Sequence, residues 1–145
     1  MALLLSGCLA VAWLIALSAF DIRHRRLPNV LTLPGAAVVL GAAVLAGRGW
    51  PALAGAAALT GVYLLVHLVA PAGLGAGDVK LAIGLGGLAG AFGADVWALA
   101  AIGAPLLTGV WAVTALVLGR RGPVPHGPSM CAASAAAVGL ALFQV

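Results

Sequence analysis

Long uncharged runs of apolar residues alternate with short polar breaks along the whole chain. Residues 3–20, 30–47, 51–70, 96–118 and 128–145 each approach the length a helix needs to cross the hydrocarbon core of a bilayer, about 20 residues. A sixth run, 81–94, is shorter and rich in glycine ("LAIGLGGLAGAFGA"), so it reads either as a span or as a re-entrant segment. Its Gly86 and Gly90 form a GxxxG pair suited to close helix contact, which favours a span. The pattern predicts an all-α fold: a polytopic membrane bundle of about six transmembrane helices, forming one integral-membrane domain over residues 1–145 with no internal repeat and no long linker.

Composition fixes the solvent. The chain has 145 residues, of which 64% are hydrophobic and 7% charged, and its mean hydropathy is +1.21. A globule of this size cannot hide so many apolar side chains and keep a wettable surface, so a soluble fold is excluded and lipid is the first partner. Within this pattern Pro105, next to Gly103, marks a kink in the fifth helix, and "GRRGPVPHGP" over 119–128 reads as a turn before a helix that starts near Pro128. "LSGC" at 5–8 is similar to a lipoprotein cleavage site. No Lys or Arg precedes it and the apolar run follows the cysteine, so no cleaved signal is expected. Cys8 and Cys131 stand in apolar segments without a CxxC pair and read as packing residues.

Charge placement orients the bundle. Three of the loops share one face and carry Arg23, Arg25, Arg26, Lys80, Arg120 and Arg121, whereas Arg48 and Asp95 fall on the other. The positive-inside rule then places 21–28, 71–77 and 119–127 in the cytoplasm and both termini outside. Trp50 and Trp97 suit the outer interface as belt residues.

The chain holds three carboxylate side chains, Asp21, Asp78 and Asp95. Asp21 closes the first helix, Asp78 opens the fourth, and the helix pair between them returns the chain to the same face, so these two lie at one membrane depth. Asp95 falls on the opposite face. Ionisable groups at the edge of the hydrocarbon are costly, and function is their default explanation. The structural alternative is ion pairing, Asp21 with Arg25 and Asp78 with Lys80 or Arg23. Asp78 is also placed to cap the fourth helix. Its position at a helix start, with Asp21 at a helix end, predicts that helix dipoles leave any shared proton on Asp21. His24, His67 and His126 fall near the same face, but their spacings match no helical ligand motif and no metal site is expected. A small proton-coupled transporter using the same two acids is the rival function. Carrier sites usually sit at the midplane between repeated halves, a pattern absent here.

The surroundings of the acids carry a resemblance. Asp21 opens "DIRHRRLPN", in which Pro28 and Asn29 mark the start of the second helix. Asp78 lies in "GLGAGDVKL", with Gly75 and Gly77 before it and Lys80 after it, and bare glycine backbone lets an extended peptide come close. "VPHGP" adds Pro125, Gly127 and Pro128 at the start of the last helix. Together these motifs resemble the type IV prepilin peptidases, the GxGD aspartic endopeptidases of bacterial membranes. In that family a Pro-Phe-Gly-Pro segment often stands here, with Phe at the position of His126. The resemblance implies that Asp21 and Asp78 are a catalytic pair, that no metal, nucleotide or other cofactor is needed, and that the substrate is a pilin precursor with a short leader, cut at the cytoplasmic face of the plasma (inner) membrane. It implies no nucleic acid partner. Longer members carry an N-terminal region with paired CxxC motifs associated with methylation. This chain lacks CxxC and resembles the compact, peptidase-only form associated with Flp or tight-adherence pili or archaeal-type filaments, for which methyltransferase activity is not expected.

Overall fold

The structure is a computed structural model and describes residues 2–143; Met1, and the last two residues expected in the sixth span, Gln144 and Val145, lie outside the described residues. Six helices follow one another and no strand occurs among the described residues: α1 Ala2–His24, α2 Asn29–Leu45, α3 Gly49–Val69, α4 Ala76–Phe92, α5 Ala94–Val117 and α6 Gly127–Phe143. Three of them, over Leu5–His24, Gly49–Val69 and Ala94–Val117, are long and apolar enough to cross a membrane. Helices α2, α4 and α6 have 17 residues each, about 25 Å at 1.5 Å per residue, slightly less than a typical hydrocarbon core. The glycine-rich sixth run lies in a continuous helix, α4, as far as Phe92; its last two residues, Gly93 and Ala94, are the break and the first residue of α5.

Helix boundaries follow local chemistry. Pro28 stands before α2 in extended conformation, and its carbonyl accepts from the amides of Leu31 and Thr32. This fits a residue whose φ is fixed and which has no N–H to satisfy. Helix α1 runs on past the expected residue 20 to His24 and ends where Arg25 turns to a φ of 50°, its amide donating to the Asp21 carbonyl at 2.8 Å. Asp21 is therefore inside the last turns of α1, not at its end. Between α4 and α5 only Gly93 intervenes, at a φ of 124° that an L side chain rarely adopts. At this same end Arg48 lies 5.4 Å over the Phe92 ring and donates to the Ala91 carbonyl, placing a cation at the negative end of α4.

The bundle is arranged around α4, which touches α2, α3, α5 and α6. Leu81, Ala82, Leu85 and Ala89 of this helix are fully or almost fully buried. Its closest neighbour is α3, and the reason is steric. A Cβ on Gly86 would lie 2.5 Å from the Gly55 carbonyl oxygen, and one on Gly90 would lie 2.9 Å from the Gly55 Cα. The GxxxG pair thus meets a third glycine, and the backbones come together where no side chain intervenes. Outward, the helices present large apolar side chains: Leu9 and Ile15 on α1, Leu65 and Leu68 on α3, Leu106 and Val110 on α5. Small residues at the α3–α4 seam and large apolar ones on the outer faces suit a protein whose surroundings are hydrocarbon.

Two expectations need correction or refinement here. Trp50 is exposed and fits a belt, but Trp97 turns inward, packs against the core and donates its indole N–H to the Gly55 carbonyl at 2.9 Å. The same lack of a side chain that admits α4 leaves that carbonyl open to a second donor. Pro105 sits within α5 without ending it. The α3–α4 seam gives a direct test. Gly86→Val adds atoms against Gly55 and against Leu59 Cβ, whereas a Cβ on Gly41 meets nothing within 4 Å. Gly86→Val is expected to cost about 2 kcal/mol or more, read by denaturant unfolding in detergent, and Gly41→Val to leave the transition nearly unchanged.

Candidate active site

Asp21 and Asp78 come from helices α1 and α4 and are both buried, 7% and 9% exposed. They lie within electrostatic reach of each other. Each takes a backbone amide as partner. The Oδ2 of Asp21 accepts from the Gly127 N–H at 3.0 Å, and the Oδ2 of Asp78 accepts from the Gly75 N–H at 3.3 Å. Neither acid rests on a side-chain cation for this: the Lys80 ammonium donates instead to the Asn29 side-chain oxygen at 2.8 Å, and Arg25 acts on Asp21 through the field alone.

The local sequence explains each placement. Gly75 is the extended residue before α4, and Asp78 is three residues into the helix, reaching back to the Gly75 amide. Asp78 thus caps α4 as expected, but from the third residue of the helix: α4 starts two residues earlier, at Ala76, extended Gly75 offers its carbonyl to the Asp78 N–H at 3.1 Å, and the Asp78 carboxylate accepts the Gly75 N–H in return. Gly77 faces the α1–α2 loop, where a Cβ would lie 3.2 Å from Leu27 Cβ. Asn29 opens α2 after Pro28, and its bond with Lys80 ties that helix to α4 beside the site. The motif residues around the two acids are thus brought to one end of the bundle. Asp95, in the first turn of α5, is separated from them by the length of α4.

Gly127 is the first residue of α6, with Pro128 following it in the first helical turn, where a missing N–H costs nothing. Its amide points at Asp21 from the positive end of a helix. Asp21 therefore also accepts an amide at the start of a helix, which opposes the bias that the dipole of α1 alone gives it. A Cβ on Gly127 would lie 2.6 Å from the Asp21 Oδ2 and 3.1 Å from its Cγ, so this position admits no side chain while Asp21 stays in place.

The histidines go to separate partners. His24 stacks against Phe20, and His67 donates from Nδ1 to the Leu74 carbonyl at 2.7 Å, fastening the end of α3 to the segment before α4. His126 lies between Tyr63, whose hydroxyl is 2.8 Å from its Nε2, and Thr108, whose hydroxyl is 2.6 Å from its Nδ1. Cys131 is buried within electrostatic reach of both acids, the Ser18 hydroxyl donates to the Leu14 carbonyl of its own helix at 2.8 Å, and Tyr63 lies within electrostatic reach of Asp78. Tyr63, Thr108, Ser18 and the Gly127 amide were not singled out from the sequence. Tyr63 is the chain's one tyrosine, a polar tip within an apolar span, and that was the available signal.

The profile of the type IV leader peptidase family matches residues 8–120, most of the chain and both buried acids. The chain belongs to the type IV leader peptidase family. No curated protein and no solved structure matches it. The protein is thus a peptidase of a membrane family, and its helices include three with the length and apolarity of membrane spans. The segment that brings Gly127 to Asp21 lies beyond the matched residues, so the geometry adds α6 to what the family profile covers. In this leader peptidase Gly127→Ala should displace the Asp21 carboxylate and lower the rate of peptide cleavage on the order of 100-fold or more. Gly122→Ala, where a Cβ meets nothing within 4 Å, should leave the rate unchanged; cleavage assays in reconstituted membranes compare the two.

Proposed function

We propose that this leader peptidase is an aspartic endopeptidase that removes the short leader from type IV or Flp-type pilin precursors at the cytoplasmic face of the plasma membrane, with the chain forming one peptidase domain. The reading is carried by one observation. Two buried carboxyl groups, from helices widely separated in sequence, stand within electrostatic reach of each other at one end of the bundle, each held by a backbone amide.

Two such groups share one proton, because two buried carboxylates within electrostatic reach of each other are not both tolerated as anions. In the proposed reaction the ionised member takes a proton from water, and the resulting hydroxide adds to the scissile carbonyl carbon. The protonated member polarises the carbonyl oxygen, and as the C–N bond breaks a proton passes to the leaving nitrogen. Asp21 and Asp78 supply both roles, and the step needs no metal or other cofactor. The excess of basic residues in the loops at this end supports its assignment to the cytoplasm. The bare backbone at Gly75 and Gly77 supports the approach of an extended peptide there.

Asp21→Asn and Asp78→Asn are each expected to lower pilin processing by at least about 100-fold, while Asp95→Asn, at the far end of α4, leaves it nearly unchanged. Immunoblots of precursor and mature pilin in cells making each variant at equal level give the answer. Full maturation by Asp78→Asn would remove the dyad from the proposal. Reporter fusions at residues 75 and 123 are expected to give cytoplasmic signals, and an external signal from either would reverse the assigned face.

A further inference from the structure

His126 occupies the place where the resembling motif has Phe, and both nitrogens of its ring have a hydroxyl partner. Thr108 Oγ donates its one proton to the Ala104 carbonyl at 3.1 Å, an acceptor that has no proton to give. The same oxygen must then accept from His126, so Nδ1 carries the ring proton. Nε2 is left as an acceptor, and the Tyr63 hydroxyl donates to it. The bonds run in one direction, from Tyr63 on α3 through His126 to Thr108 on α5. The next residue after His126 is Gly127, whose amide holds Asp21.

We infer that His126 is a positioning residue: as the neutral Nδ1–H tautomer it clamps the α5–α6 segment between Tyr63 and Thr108 and so fixes the amide that Asp21 accepts. This rests on the reading of Asp21 as half of the catalytic dyad. A phenylalanine ring fills the same space but leaves the Tyr63 hydroxyl without an acceptor and the segment without either tie. A protonated imidazole is also unsuited, because both its nitrogens donate and the Tyr63 bond is lost. Burial holds the His126 pKa below the usual imidazole value, in keeping with the neutral form. The groups around its ring are Tyr63 on α3 and the uncharged Thr108 on α5, with Asp21 on α1 beyond Gly127 and Asp78 on α4 beyond Tyr63. The sign follows: the clamp is complete above the ordinary imidazole pKa of about 6.5 and weakens as the pH falls below it, where protons favour the opened segment.

The test uses the full-length protein in bilayer nanodiscs with a pilin-precursor peptide whose leader is intact. H126F is expected to lower kcat on the order of 10-fold, the effect of a lost buried hydrogen bond, with little change in KM. H126Q, which accepts and donates without titrating near neutrality, should recover most of that loss and shift the acid limb of the kcat profile to lower pH. Nitrogen NMR of histidine-labelled wild-type protein at pH 7.5, roughly one unit above the ordinary imidazole value, should show His126 protonated at Nδ1 and bare at Nε2. In Y63F the Nε2 signal should move. An Nε2–H tautomer would overturn the inference, even if H126F does not fold. So would full kcat in H126F while D21N is inactive. An active D21N would instead remove the dyad reading on which the clamp depends.

Discussion

The approach of α4 to α3 sets the rest of the molecule. Gly55, Gly86 and Gly90 let two backbones come together without intervening side chains, and this lets α4 sit in the middle of the bundle, touched by four other helices. A helix so enclosed carries its first turn inward too, and Asp78 is in that turn. Burying a carboxyl group is costly unless it has partners. The fold supplies them from backbone amides, which are fixed in direction and bring no full positive charge into the site.

Asp21 reaches the same region by a different route. It belongs to α1, which rests mainly on α6, and the start of α6 delivers the Gly127 amide to it. The last helix thus completes a site whose two acids lie in earlier ones. His67 and Lys80 hold neighbouring segments, one by a bond to the Leu74 carbonyl and the other by a bond to Asn29. These polar ties gather at the end of the bundle that bears the acids.

Much of this was legible in the chain. Apolar runs separated by Pro28, Pro71 and the 119–128 turn marked six helices, because hydropathy reports the solvent of each segment directly. Asp21 and Asp78 stood out since acids are so rare here. Apart from the close contact at Gly86 and Gly90, what escaped notice were the contacts that depend on how spans pack. Nothing in the residues near Asp21 announces an amide donor 106 positions later, and Trp97 looked like a belt residue until Gly55 was seen to leave a carbonyl open to it. Tyr63, His126 and Thr108 are far apart in sequence, and their bonds arise only once α3 and α5 are side by side. Hydropathy shows which segments lie in lipid; it does not show what their residues meet.

Among the described residues α1 and α4 do not pack backbone against backbone; α6 touches both, and the indole of Trp13 crosses from α1 to donate to the Leu31 carbonyl of α2. The two acids are therefore held in register by the seams of α1 against α6 and α6 against α4, together with the Trp13 ring, which also lies against Gly84 of α4, much as the alignment of a jointed tool depends on every joint. A small slip at either seam moves one carboxyl group relative to the other while every helix keeps its own hydrogen bonds. Helical content is thus a poor witness to the state of the site: a preparation can look fully folded by its circular dichroism and still have lost the alignment on which its chemistry rests.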